Sequence, residues 1–123
     1  AGTLYATHGG FIKKYASDGT FLSQWGGGIE IPYGITIDAD NNVYVSDAVT
    51  DRVLKFTSEG TLLAQWGSFG SGDGQFNDPR GVAVDGAGNI YVVDSANQRI
   101  QKFGYLPTPA KRLTWGSLKQ HYR

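Results

Sequence analysis

Apolar residues come in short runs along most of this chain, and polar turns punctuate them. Gly34–Asp38, Val43–Ser46, Val53–Phe56 and Thr61–Trp66 are four such runs. Each has strand length, and β-branched and aromatic residues are enriched. Asp38-Ala39-Asp40-Asn41-Asn42 separates the first two runs, Asp47-Ala48-Val49-Thr50-Asp51-Arg52 the next two, and Thr57-Ser58-Glu59-Gly60 the last. Within the runs the apolar residues follow one another more than they alternate: Ile35, Ile37, Val43, Val45, Val53, Leu54, Leu62 and Leu63. That pattern predicts strands covered on both faces. No stretch shows helical periodicity, so the expectation is an all-β protein.

The pattern repeats. Ile31-Pro32-Tyr33-Gly34-Ile35-Thr36-Ile37-Asp38 returns 47 positions later as Asp78-Pro79-Arg80-Gly81-Val82-Ala83-Val84-Asp85. Tyr44, Asp47, Arg52, Lys55 and Phe56 return as Tyr91, Asp94, Arg99, Lys102 and Phe103. Asn41 is replaced by Gly88, and both residues tolerate the positive φ of a tight turn. A repeat of this length marks a stacked array in which one unit cannot bury its own faces. Four-stranded up-and-down sheets at this spacing describe the blades of a β-propeller.

The motifs Pro-x-Gly-[Ile/Val]-x-[Ile/Val]-Asp, [Val/Ile]-Tyr-Val-x-Asp and Arg-[Val/Ile]-x-Lys-Phe, together with the Gly-rich stretch from Trp66 to Pro79, resemble the NHL repeat over about residues 4–103. That resemblance implies a propeller, usually six-bladed, that serves as a binding platform. Counted in strands, the chain is expected to hold just under three blades of four antiparallel strands. A partial blade, 4–26, lacks an innermost strand and departs from the pattern with His8 for the corner Asp and Phe11 for the Arg. A full blade spans 31–67. A third spans 79–116, with Lys111–Gly116 as its outer strand. Residues 117–123 form a basic tail. A six-bladed ring at 40–47 residues per blade needs roughly 240–280 residues, a range that two copies of this 123-residue chain reach. A lone half-ring leaves apolar faces in water, which points to a partner surface. The expected partner is a second copy closing a six-bladed homodimeric ring, with Ser117–Arg123 as a closing strand or clasp, or else as a disordered end; the rival expectation is a fragment of a longer propeller or an open array.

Charge narrows the partners. The net formal charge is zero, which argues against a broadly basic nucleic-acid surface. It is unevenly placed: residues 1–103 carry 7 Lys/Arg against 11 Asp/Glu, and residues 104–123 carry Lys111, Arg112, Lys119 and Arg123 with no acid. Arg80, Lys13 and Lys14, with the basic residues of 104–123 and the interleaved Trp115 and Tyr122, are the sparse basis for an RNA-binding alternative. No Cys is present, which removes disulfides, thiolate metal sites and Cys nucleophiles. No apolar run is long enough to span a membrane as a helix. Ala1 is not an initiator Met and no signal-peptide pattern is visible.

Catalytic chemistry finds little purchase. His8 and His121 have no nucleophile or carboxylate at a useful spacing, and two His are thin support for zinc. Amidating lyases resemble this repeat family and hold metal and His ligands in the central channel, but no residue here matches those ligands. Asp38, Asp40 and Asn42 mimic the opening of a calcium loop, yet Val43 stands where Gly is needed and Val49 where Glu is needed. Gly70-Ser71-Gly72-Asp73-Gly74 lacks the Lys-[Ser/Thr] and the helix of a phosphate loop. A turn and an inter-blade linker are the expected roles. Asp47 with Arg52, and Asp94 with Arg99, lie five apart across a hairpin loop and are expected to pair and fix the corner. As surface pairs they would stabilise by only about 0–1 kcal/mol, so geometry is their expected contribution. Tyr33 and Arg80 occupy the variable position of Pro-x-Gly and are the candidate binding face, for a protein or small-molecule ligand. The expectation is a non-catalytic binding module without a cofactor or metal; a metal- or substrate-binding propeller enzyme is the alternative.

Overall fold

The computed structural model describes residues 2–26 and 28–104. Among the described residues ten strands fall into three antiparallel sheets, each strand pairing with its sequence neighbours. The first sheet is β1 (Leu4–His8), β2 (Phe11–Tyr15) and β3 (Phe21–Gly26). The second is β4 (Pro32–Ile37), β5 (Val43–Asp47), β6 (Arg52–Phe56) and β7 (Leu62–Trp66). The third is β8 (Pro79–Val84), β9 (Ile90–Asp94) and β10 (Arg99–Phe103), with one 3-10 turn at Ser95–Asn97. These sheets are blades one, two and three. The expected outer strand Lys111–Gly116 and the tail 117–123 lie outside the described residues.

Blade two shows why its apolar residues run together. It stands between the other two blades, and β5 is buried along its whole length. Strand geometry sends alternate side chains to opposite faces. Val43 pairs with Phe56 and Val45 with Leu54. These four face blade one, where Ile12 and Ile29 join them with Tyr5 and Trp25 at the margin. Tyr44 and Val53 face the other way and pack with Phe76, Ile90, Val92 and Phe103 of the blade-three side. There are thus two separate cores, one per blade interface. Each fully buried Val, Leu, Ile or Phe stabilises by about 1.5–3 kcal/mol, so the interfaces hold the array together.

The hairpin turns are built the same way twice. The Asp38 carboxylate accepts the N–H groups of Asp40 (2.9 Å) and Asn42 (3.0 Å) and the Tyr44 hydroxyl (2.9 Å). Asp85 accepts those of Ala87 and Asn89 and the Tyr91 hydroxyl at 2.9, 2.9 and 3.0 Å. Asn41 and Gly88 take the positive φ that each turn requires, at 64° and 88°. The Asp38 carboxylate that opens the calcium-like motif is therefore already committed to a hairpin.

The linkers differ. Trp25 to Pro32 is short, whereas the stretch from Gly67 to Asp78 folds back over the groove between blades two and three. It seats Phe76 against Phe103, ring centroids 5.8 Å apart, and Phe76 is fully buried. The Arg99 guanidinium holds this linker by donating to the carbonyls of Ser71 (2.9 Å), Gly72 (2.8 Å) and Gln75 (2.9 Å). The Gly-rich segment is an inter-blade linker whose carbonyls face a cation.

Candidate functional site

The innermost strands of blades two and three lie side by side, and both begin on Pro-x-Gly. Each pairing carries one extra residue there: register shifts between Pro32 and Ile35 in β4, and between Pro79 and Val82 in β8. Such bulges re-aim side chains. Here Tyr33 and Arg80 turn outward from the paired strands and are half-exposed. Their backbones approach so closely that a Cβ on Gly34 would strike the Arg80 carbonyl oxygen. Ser46, fully buried, bridges the two strands: its Oγ accepts from the Gly34 N–H at 2.9 Å and donates to the Arg80 carbonyl at 2.9 Å.

This approach brings the two predicted binding residues together. The Arg80 guanidinium lies 4.8 Å from the Tyr33 ring centroid, within range of a cation–π contact. Arg80 Nε and Nη2 both reach Asp78 Oδ2, at 3.0 and 2.9 Å. Asp78 is itself placed by a left-handed backbone (φ 61°) and by its N–H donating to Asp51 at 2.9 Å. The Asp78 hydrogen bond and charge, with Tyr33 behind them, raise the Arg80 pKa still further above the range in which it could lose its proton. The rim thus presents an aromatic plane and a permanent cation, held by groups from two successive blades.

The corner pairs are buried at their acidic ends, which corrects the expectation of surface pairs. Asp47 and Asp94 are fully buried, and their main contacts are with donors from the linkers. Asp47 accepts the N–H groups of Glu30 (3.0 Å), Ile31 (3.2 Å) and Val49 (3.2 Å). Burial pushes its carboxyl up, but the N–H donors and Thr50 outweigh that and lower it. Asp94 accepts from the Asn77 N–H (2.7 Å), Asn97 (2.9 Å), Arg99 Nε (2.7 Å) and Gln101 (3.1 Å). The two Arg residues differ. Arg99 pairs directly with Asp94, whereas Arg52 stands 3.9 Å from Asp47 and donates instead to Thr50, Gln65 and the Gly28 carbonyl. The corner motif clamps an inter-blade linker to a blade, and the Asp is its centre. In blade one His8 takes this position and is exposed.

Three contributors were not singled out from sequence. Ser46 sits at the variable position of Val-Tyr-Val-x-Asp, where Val93 follows in the next repeat. Gln101 replaces the apolar Leu54, and that polar change at a core position is its only sequence signal. It is buried and joins the Gly74 N–H and the Gln75 carbonyl to Asp94. Asp78 gave no signal, because Ile31 holds its place in the earlier repeat. Lys13 and Lys14 do not join Arg80: they belong to β2, where Lys14 donates to the Ser58 carbonyl at 3.1 Å. His121, Trp115 and Tyr122 lie outside the described residues.

Elsewhere, a shallow hollow of about 210 Å³ between the two hairpin turns is lined by Asp38, Asp40 and Asp85. Asp38 and Asp85 are occupied by the turns. Among the described residues no group of three or more His, Asp or Glu is placed to hold a metal ion, and no helix is long and apolar enough to cross a membrane.

Comparison with known proteins agrees with this architecture. The sequence profile of the NHL repeat matches residues 76–103. No match was found among curated protein sequences. Among solved structures, a streptogramin B lyase superposes with a TM-score of 0.65 at 19% identity, over 89% of this chain and 39% of the lyase. A protein of unknown function from Bacteroides caccae superposes with a TM-score of 0.61 at 19% identity, over 92% and 40%. The chain spans about two fifths of the length of these structures, and at such identities the likeness is one of fold. Residues 76–103 thus match the NHL repeat, and the chain folds as blades of a β-propeller.

Proposed function

We propose that this chain is a non-catalytic binding module that works within a closed six-bladed propeller and takes a protein or small-molecule ligand at the rim formed by Tyr33 and Arg80. The observation that carries the reading is their convergence: two half-exposed side chains from different blades meet at 4.8 Å, with Asp78 fixing the cation. An aromatic plane beside a guanidinium suits a ligand with a flat face and a carboxylate or phosphate edge. The acids support a non-catalytic role, because Asp38, Asp47, Asp85 and Asp94 each hold backbone N–H groups of turns or linkers. None of these four is left to act as a general base on a ligand at the rim.

Benzoate combines the two features and is a direct probe. Titrated into the isotopically labelled protein, it is expected to shift the NMR signals of Tyr33 and Arg80 with millimolar affinity. Arg80→Ala is expected to abolish the shifts while leaving the rest of the spectrum in place. Unmoved Tyr33 and Arg80 signals, or equal binding by Arg80→Ala, would overturn the assignment of the rim. Turnover by the purified protein that survives loss of Arg80 would return the enzyme reading.

A further inference from the structure

We propose that the exposed back face of blade three and the exposed front face of blade one are the two halves of one more blade interface, and that they mate between two copies of this chain. The inference rests on the ring assumed above and names the partner that completes it.

The interface between blades two and three serves as the template. Its back half is Tyr44, Ser46 and Val53, and its front half is Ile90, Val92 and Phe103. The repeat carries the back half to Tyr91, Val93 and Ile100 of blade three. Strand matching carries the front half to Leu4, Ala6 and Tyr15 of blade one. None of these six positions has become charged, although they stand at the ends of the described array. Ile100 and Leu4 are each 52% exposed and Val93 is 41% exposed. Phe21 extends the front face, edge-on to Tyr15 at 5.8 Å. Lys13 is the charged exception, and its counterpart in blade three is Gln101, already a buried polar position at the internal interface.

The substitutions fit one another. Val53 becomes the larger Ile100 on the back face, while Val92 corresponds to the smaller Ala6 on the front face. Packing at native density requires such compensation, since one methylene too many strains a core. The back of blade three is therefore shaped for a front face like that of blade one. Because the two faces differ, the contact is head to tail, and a rotation that closes after two copies gives a ring rather than a filament.

Light scattering after gel filtration tests this on the 123-residue chain. The expected mass is twice 13.3 kDa, and Ile100→Asp is expected to halve it with the far-ultraviolet β signal retained. Should that variant unfold, cysteine chemistry decides, because the native chain has no Cys. Ala6→Cys and Ile100→Cys occupy positions equivalent to Val92 and Val53, which share one packed cluster. A short bismaleimide is expected to join the two variants when mixed, and neither with itself. The double variant should stop at a covalent dimer. A monomer at micromolar concentration, self-linking of either variant alone, or a ladder of longer products would each overturn the proposal. A monomer that still binds benzoate at Tyr33 and Arg80 would remove the dimer and leave the binding rim standing.

Discussion

The two corner clamps look alike in sequence and differ in structure, so they should differ in energy. Asp94→Ala removes a fully buried carboxylate from four donors, one of them the Arg99 guanidinium at 2.7 Å. Breaking a buried pair costs about 3–5 kcal/mol. Arg99 is 17% exposed and keeps the carbonyls of Ser71, Gly72 and Gln75, so the lower end, about 3 kcal/mol, is the better estimate. Asp47→Ala strands four N–H groups but leaves Arg52 with its three other partners. The expected loss there is about 1–3 kcal/mol. The double-mutant cycles separate the cases further. Asp94 with Arg99 should couple by about 1.5–3 kcal/mol, as charged hydrogen bonds do, and Asp47 with Arg52, at 3.9 Å, by less than about 1 kcal/mol. Urea unfolding followed by Trp fluorescence and circular dichroism measures both. With a slope of about 2 kcal/mol per molar, a 3 kcal/mol loss lowers the midpoint by about 1.5 M. Equal couplings in the two blades, or a loss below about 1 kcal/mol for Asp94→Ala, would refute the reasoning.

Gly34→Ala should destabilise by about 1–3 kcal/mol or more, because its Cβ meets the Arg80 carbonyl and no side chain can yield. Gly86→Ala, with open space around it, should be nearly neutral, and equal midpoints for the two would contradict the close approach of β4 and β8. Ser46→Ala should cost about 1–3 kcal/mol by unpairing the Gly34 N–H and the Arg80 carbonyl; deuterium exchange at the Gly34 amide should quicken, and an unchanged rate would argue against the bridge. Acid should weaken the fold in a defined window. Asn89 first, with Tyr91 and Ala87 adding to it, lowers the Asp85 carboxyl from 3.8 to about 2, and Asp47 is lowered as well. A carboxyl depressed in the folded state stabilises fully above its unfolded value and loses that contribution as pH falls through its folded value. The urea midpoint should hold steady above about pH 5 and drop between about pH 4 and 2, less steeply in Asp85→Asn. A flat midpoint across that window would refute the role given to these carboxyls.

Much of the fold was legible because propeller strands are short, local and paired with their sequence neighbours. The runs at Val43, Val53 and Thr61 fell within a residue of β5, β6 and β7, and the inner strand began two residues before Gly34, at Pro32. The turn at Asn41 and Gly88 was legible for the same reason, since a positive φ is a demand on one residue alone. The corner was half legible. The spacing of Asp and Arg marked the hairpin, but it did not show that the carboxylates lie buried with linker N–H groups as their partners. Those donors are up to 17 residues away in the chain.

The 47-residue period by itself determined the unit, its strand count and the likeness of one blade to the next, because a repeated pattern must fold into a repeated piece. It also marked Tyr33 and Arg80 as equivalent positions. Equivalence by repetition places two residues alike in separate blades and does not say that they touch. Their contact depends on how closely β4 and β8 approach, and that is set by Gly34, Ser46 and the packing of one sheet on the next. The same packing decided which apolar residues became core and which, at Leu4, Val93 and Ile100, remained open. Burial belongs to the neighbour as much as to the residue, and the neighbour is a property of the assembled blades.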